Sequence, residues 1–298
     1  MAILTSPIGN EVLKNSPFID QFFVAKDPVL PNSFNLIRAL RQNAFDTILV
    51  FHTSQRPMLS LCCLAKPKHI VGTYGLNKGL DSLLTHAMDL KTEHEIERRL
   101  RITSHVGAQA KTEDLDWFIS AGEQHLADAF LSPFKKPIIG LHPGAKDAFK
   151  QWPPEHFIAL GKQLAECGAQ ILVTGNNDEK ALAEKVATAI PHAQSIAGAL
   201  PLRTFAAALS KFSLFVTNDT GPMHISFAVK TKTVAFFGPT DPNLCGPHQA
   251  SNCLIFAKSR TCTPCLKKAC KDAFCMRQLG PQQIMADVKQ FYMGEKNA

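Results

Sequence analysis

No apolar run in the 298 residues approaches the roughly 18 needed to span a bilayer as a helix, so no segment is a candidate for one. The opening stretch, MAILTSPIGNEVLKN, lacks a basic start followed by an apolar segment, so no secretion signal is read there. Together these lead to the expectation of a cytoplasmic protein whose nine cysteines are mostly reduced. Dense Lys/Arg blocks are also missing. The excess of 32 basic over 25 acidic residues, a formal +7, is scattered. Scattered charge argues against a nucleic-acid surface but suits anionic ligands. Neither GxxxxGK[ST] nor GxGxxG occurs, which excludes a P-loop ATPase and a standard dinucleotide enzyme. There is no internal repeat and no low-complexity tract. Charged residues make up only 19% against 45% hydrophobic, which excludes disorder and predicts a packed core of a size comfortable for two domains.

What is present is an alternation of strand-like and helix-like segments. AILTS, QFFVA (21–25), DTILVFH (46–52) and HIVGT (69–73) read as strands. GNEVLKN, SFNLIRALRQN (33–43, with Leu36, Ile37 and Leu40 on one face), QRPMLSLCCLA (55–65) and EHEIERRLRIT read as helices. The pattern weakens between Gly122 and Lys136, where LSPFKKP reads as a linker. A second series follows, with strands PIIGLHP (137–143), AQILVTG (169–175), LFVTND (214–219) and TVAFFG. Between them lie a helix from Pro153-Pro154 to Gly168, then DEKALAEKVATAI, PLRTFAAALSKF and GPMHISFAV. Strands alternating with helices predict an α/β protein with open, doubly wound parallel sheets, whose ligands sit at the carboxyl ends of the strands. The division expected is residues 1–125, a linker at 126–137, a second domain at 138–280 and a final helix at 281–298 packing back on the first domain.

Three loops fall at such strand ends. In TNDTGPMH, Pro222 suits a first helical turn, and Asp219 or Thr220 can cap it. The amides of Gly221, Met223 and His224, with the helix dipole, form an anion site that Gly221 leaves open to a phosphate. The following strand ends in GPTDP at the same edge. For each residue alone, a plain cap or a core histidine is the competing reading; two polar loops at adjacent strand ends favour a ligand site. In HPGAKDAFKQWPPEHF, Lys150 beside Trp152 and Pro153-Pro154 suits a diphosphate, with Lys146 as its rival. In TGNNDEK, Asp178 or Glu179 suits ribose hydroxyls, and capping accounts equally well for Asp178.

GAKDAFKQWPPEHF, VTNDTGPMHISFAV and VAFFGPTDP, in this order, resemble the bacterial heptosyltransferase family, the family 9 glycosyltransferases of lipopolysaccharide core biosynthesis. The resemblance covers nearly the whole chain and is strongest over residues 138–245. It implies a GT-B fold of two Rossmann-like domains facing a cleft, with ADP-heptose bound mainly by the second and the acceptor by the first. It also implies diphosphate contacts by Lys150, Thr220 and Gly221, a sugar or phosphate contact by Asp219, a ribose contact by Glu179 and a place for His224 in the donor site. The reaction implied is a single inverting displacement that needs a base but no metal cofactor.

The chain departs from the family at its start. Family members open with a strand and a loop of the form R-x-x-x-x-G-D, whose Asp is taken as the base, and no such segment occurs here. The difference is on the order of 35–45 residues, one strand, loop and helix. A downstream start, a decayed gene and a protein that kept only donor binding are the three explanations. Asp20 and Asp46 lie near strand boundaries without matching the family position, so no base is named. Cys262, Cys265, Cys270 and Cys275 have C-x2-C spacing that suits zinc, or less well an iron–sulfur centre, while reduced thiols or a facultative disulfide, without metal, is the favoured reading. Cys62 and Cys63 fall on an apolar helix face and are expected in the core. The leading function is transfer of heptose from ADP-heptose to a lipopolysaccharide core acceptor at the inner membrane face. A non-catalytic nucleotide-sugar binder and a cysteine-centred metal or redox protein are the alternatives. Arg56, Lys66 and Lys68 form either a basic acceptor face or a solvated surface.

Overall fold

The structure is a computed structural model that describes residues 1–25, 33–51, 56–248, 251–258, 262, 265, 270 and 273–294. It divides into two compact units: Met1–Glu113 with Asn243–His248, and Asp114–Pro242 with Gln249–Ala298.

Unit 1 contains β1 (Ala2–Thr5), α1 (Pro7–Leu13), β2 (Gln21–Val24), α2 (Ser33–Gln42), β3 (Thr47–Leu49), α3 (Arg56–Leu64), β4 (His69–Thr73), β5 (His86–Met88) and α4 (Glu95–Ser104). Ser6 caps α1 and Pro7 opens it, the helix start the sequence favours. A capping box of His94 and Glu97 opens α4. All pairing is parallel, but the strands form two sheets, β1-β2 and β3-β4-β5. The core is small: Val50, Leu59 and Ile70, with Ile48, Cys63 and Leu84 against them. Cys62 is buried, as expected, and burial pushes its thiol up to about 11.

Unit 2 contains α5 (Ala121–Leu131), β6 (Ile138–His142), α6 (Pro154–Glu166), β7 (Gln170–Val173), α7 (Lys180–Thr188), β8 (Gln194–Ser195), α8 (Leu202–Leu209), β9 (Leu214–Asn218), α9 (Gly221–Ala228), β10 (Thr233–Phe237), α10 (Pro242–Cys245, reaching into unit 1), β11 (Cys253–Ala257), α11 (Phe274–Arg277) and α12 (Pro281–Met293). One six-stranded parallel sheet runs β11-β10-β9-β6-β7-β8. Every residue of β6, β9 and β10 is buried, as befits strands covered on both faces. One core gathers Trp152, Phe157, Leu160, Val186, Phe236 and Val288; another gathers Ala127, Leu131, Leu209, Phe212 and Phe215. Trp152 stacks on Phe236 with centroids 4.1 Å apart and donates to Leu279 O at 2.7 Å.

Two expectations about the chain's layout change. The proposed linker 126–137 is helical as far as Leu131. Ser120 and Glu123 form the capping box of α5, and Arg203 in α8 bonds Glu123, so this stretch is part of unit 2. The final helix, expected against the first domain, belongs to unit 2, where it packs on α6 and β11 with Ile284, Met285 and Val288 buried. Its buried Ile284, Val288 and Tyr292 recur at i, i+4, the spacing of one helix face. The strands β5, β8 and β11 have no counterpart in the sequence reading: two are only two or three residues long, too short for an alternation to register.

Candidate functional site

The carboxyl ends of β7, β6, β9 and β10 are neighbours in the sheet, so the loops after them share one edge. Their polar side chains join across the sequence. Lys150, in the loop after β6, places Nζ 2.6 Å from Asp219 Oδ2, after β9. The same oxygen accepts from Thr240 Oγ1, after β10, at 2.7 Å. Asp219 is buried and Lys150 half-buried, so this charge pair is held at the end of the sheet with limited access to water. Lys146, the rival of Lys150, is exposed.

Asn218 ties these loops to the scaffold. Its Nδ2 donates to Pro143 O at 3.0 Å and Gly144 O at 3.1 Å, and its Oδ1 accepts from Trp152 N at 2.9 Å. One buried amide therefore fixes both ends of the loop that carries Lys150. Sequence reasoning did not single out Asn218, Thr240, His142 or Thr174. A polar Asn ending an otherwise apolar strand was the available signal for the first, since Asn is depleted in strands.

The helix α9 begins at this edge. Thr220 is its N-cap, but its side chain makes no capping bond; the hydroxyl instead bonds Asn218 O at 3.3 Å. Asp219, expected as a cap, is engaged by Lys150 and Thr240. A Cβ added to Gly221 would meet nothing within 4 Å, so the approach over its amide is open. His224 is half-buried in the first turn, its ring edge-on to Phe227 at 6.2 Å.

After β7, Glu179 Oε2 accepts from Asn176 N at 2.9 Å. Its carboxylate lies over Gly144, where a Cβ would come within 2.1 Å of Oε1. Asn176 Oδ1 accepts from the amides of Asp178 and Glu179, so the turn is closed by Asn176 and not by Asp178, which is exposed. Of the two acids in this loop, Glu179 is the one whose carboxylate lies against the loop after β6. His142, at the end of β6, is paired with Thr174 Oγ1 at 2.9 Å, and its Nε2 is 3.9 Å from Glu179 Oε2. Burial drives its imidazole down to about 4, so it is neutral at pH 7.

Elsewhere the sequence candidates do not assemble. Asp46 pairs with Lys68 at 2.7 Å beside the first residue of β4, and Lys68 holds its carboxyl below the usual range. Asp20 lies against the Met1 ammonium just before β2. Both sit at amino ends of strands, away from the ligand edge of such sheets. Lys66 and Lys68 are exposed near the same end, as the solvated-surface reading expects, and the side chain of Arg56 is outside the described residues. Cys275 is buried, Cys265 and Cys270 are partly buried and Cys262 is exposed. Among the described residues no three His, Cys, Asp or Glu side chains gather as a metal set, so the zinc reading has no assembled site behind it. Also among the described residues, no helix is long and apolar enough to cross a membrane.

Parallel sheets in two α/β units, with polar loops at strand ends, are shared with solved glycosyltransferases of the GT-B fold. Two solved structures share this fold. The Escherichia coli ADP-heptose lipopolysaccharide heptosyltransferase II superposes with a TM-score of 0.79 at 19% identity, covering 99% of this chain and 90% of that one. A family 9 glycosyltransferase from Veillonella parvula gives 0.88 at 18% identity, covering 99% and 88%. The model of glycosyltransferase family 9 (heptosyltransferase) matches residues 33–274, and the chain belongs to that family. Lipooligosaccharide heptosyltransferase 2 of Campylobacter jejuni is 29% identical over 162 residues, 52% of this chain and 51% of that protein. The chain thus spans about half the length of the relatives it matches.

Proposed function

We propose that this chain transfers a heptose from ADP-heptose to a lipopolysaccharide core acceptor with inversion. What supports the reading most is the Lys150–Asp219–Thr240 cluster beside the start of α9. It combines a fixed cation with the start of a helix, the pair of features a diphosphate needs. Family membership and the ADP-heptose named for the Escherichia coli structure support the choice of donor. In this reading Lys150, Thr220 and Gly221 hold the diphosphate, Asp219 orients Lys150 and the sugar, Glu179 holds the ribose and His224 completes the donor site. An acceptor hydroxyl attacks the anomeric carbon as its bond to the diphosphate oxygen breaks. The hydroxyl proton goes to a base, which we assign to no residue. Lys150 and the α9 amides stabilise the charge that develops on the leaving ADP, and no metal cofactor is needed for that. The setting is the cytoplasmic face of the inner membrane, with the chain at most peripheral to it.

A transfer assay with ADP-heptose and a core acceptor tests the proposal. Turnover with inverted product supports it; donor binding without turnover would instead make the chain a nucleotide-sugar-binding remnant. Replacing Lys150 by Ala removes a charge-assisted contact of about 1.5–3 kcal/mol. It should therefore lower kcat/KM for the donor by about tenfold to a hundredfold. Unchanged kinetics would remove Lys150 from the site.

A further inference from the structure

The chain enters unit 1 a second time. It leaves unit 2 at Pro242, just after the loop that carries Thr240, and returns at Gln249, so Asn243–His248 belongs to unit 1. The Thr240 hydroxyl donates to the same Asp219 oxygen that holds Lys150. Whatever fixes Asn243–His248 therefore fixes, through the backbone, one end of the 238–242 loop beside the proposed diphosphate site.

His94 supplies the hold. It is the N-cap of α4 and is only 6% exposed. Its Nδ1 accepts from Ile96 N at 3.2 Å, and its Nε2 lies 3.1 Å from the carbonyl oxygen of the buried Gly246. A carbonyl only accepts, so Nε2 carries the proton and Nδ1 keeps its lone pair; the two partners together require the neutral ring in one tautomer. Capping by itself does not call for histidine, since Asn, Asp, Ser and Thr are the preferred N-caps. What the imidazole adds is a donor on its far side, which reaches a second chain segment. The ring stacks on His248 with centroids 4.4 Å apart, and His248 Nε2 is 2.8 Å from Glu113 Oε2 and 3.6 Å from Glu97 Oε1. Glu97 also accepts from His94 N at 3.3 Å, and Glu95 is the other charge that acts on the ring. Burial, with His248 acting in the same direction, holds the His94 imidazole below its usual range, against the Gly246 bond and the two carboxylates.

We propose that His94 is a positioning residue for donor binding: its Nε2–H, by holding Gly246 O, anchors Asn243–His248 and keeps Thr240 on Asp219. The inference rests on the reading of the Lys150–Asp219–Thr240 cluster as the diphosphate site. Its physical content is a neutral hydrogen bond that protonation cannot strengthen. A second proton on His94 would sit on Nδ1, facing the Ile96 amide that now donates to it, and the ring would have to leave one partner or both. Because the folded ring is held below the unperturbed 6.5, the anchor is complete above about that pH and is lost as pH falls through the lower folded value.

Two variants separate the anchor from the cap. His94→Asn keeps a preferred N-cap for α4 but is too short to reach Gly246 O. His94→Gln is long enough to donate to that oxygen but is not a preferred cap. Calorimetric titration with ADP at pH 7.5 should find at least about threefold weaker binding for His94→Asn, and binding within about twofold of the parent for His94→Gln. The ratio of dissociation constants between His94→Asn and the parent should shrink from pH 7.5 to pH 5, because protonation then removes in the parent what the substitution removes; any titration of ADP itself cancels in that ratio. Lys150→Ala, titrated alongside, reports on the site itself. If it weakens ADP binding while His94→Asn binds as the parent does, the anchoring role is overturned and the diphosphate site stands. Equal affinities for the Asn and Gln variants, or a ratio that does not change with pH, would also overturn the role. If Lys150→Ala leaves ADP binding unchanged, the site reading falls and this inference with it.

Discussion

Asn218, Asp219, Lys150 and Gly221 show how few groups a strand-end site requires. Asn218 satisfies three backbone groups with one amide, so both ends of the loop bearing Lys150 are held to the end of β9. Asp219 shares one oxygen between Lys150 and Thr240, which fixes the ammonium without neutralising the helix start next to it. Gly221 is the informative residue for a test, because no described residue would touch a Cβ placed there. Gly221→Ala should leave thermal stability unchanged or raise it by about 0.4–1 kcal/mol, through a less flexible unfolded chain. If the diphosphate meets the backbone here, as proposed, the same methyl stands in its way, and donor affinity should fall at least tenfold, about 1.4 kcal/mol. Calorimetric titration with ADP alongside a melting curve measures both. A loss of stability with unchanged ADP affinity would make this glycine a structural residue.

At the scale of elements, the pairing of α5 with α8 decides where unit 2 begins. Arg203 is buried, bonds Glu123, donates to Phe118 O at 2.6 Å and lies over the Trp117 ring at 5.3 Å. Burial alone would raise the Glu123 carboxyl. The Arg203 guanidinium and the Ser120 amide outweigh it and hold the group down at about 2, against 4.5 unperturbed. Because the folded value is the lower one, this stabilisation is complete above about pH 4.5 and is lost as pH falls toward 2. Arg203→Ala leaves a half-buried carboxylate without its partner and should cost about 1–3 kcal/mol at pH 7. Urea midpoints at pH 7 and pH 3 check the sign: the penalty for Glu123→Gln should shrink at the lower pH. An equal penalty at both would show that the pair contributes nothing through its charge.

For the whole molecule, the asymmetry between units sets the order of unfolding. Unit 2 has a sheet buried on both faces and two large clusters, whereas unit 1 has one small cluster and two short sheets. Unit 1 should therefore open at lower urea, and the chain should fail the two-state test. Trp117 and Trp152, its two tryptophans, both lie in unit 2, so fluorescence follows that unit while far-ultraviolet circular dichroism follows both. The dichroism midpoint should precede the fluorescence midpoint; coincident curves would mean one cooperative body. The sequence by itself determined the α/β class, most strands of unit 2 and the loops at their ends. Periodicity, prolines and glycines act locally and leave a mark within a few residues. It also named Lys150, Glu179 and Asp219, because polar residues that interrupt apolar strands are conspicuous. Only the tertiary structure paired Lys150 with Asp219 while leaving Lys146 exposed, laid Glu179 over Gly144 while leaving Asp178 exposed, began unit 2 at Asp114 and put α12 on α6. Those choices depend on which strands become neighbours, a contact between residues as far apart as Lys150 and Asp219 that no local pattern encodes.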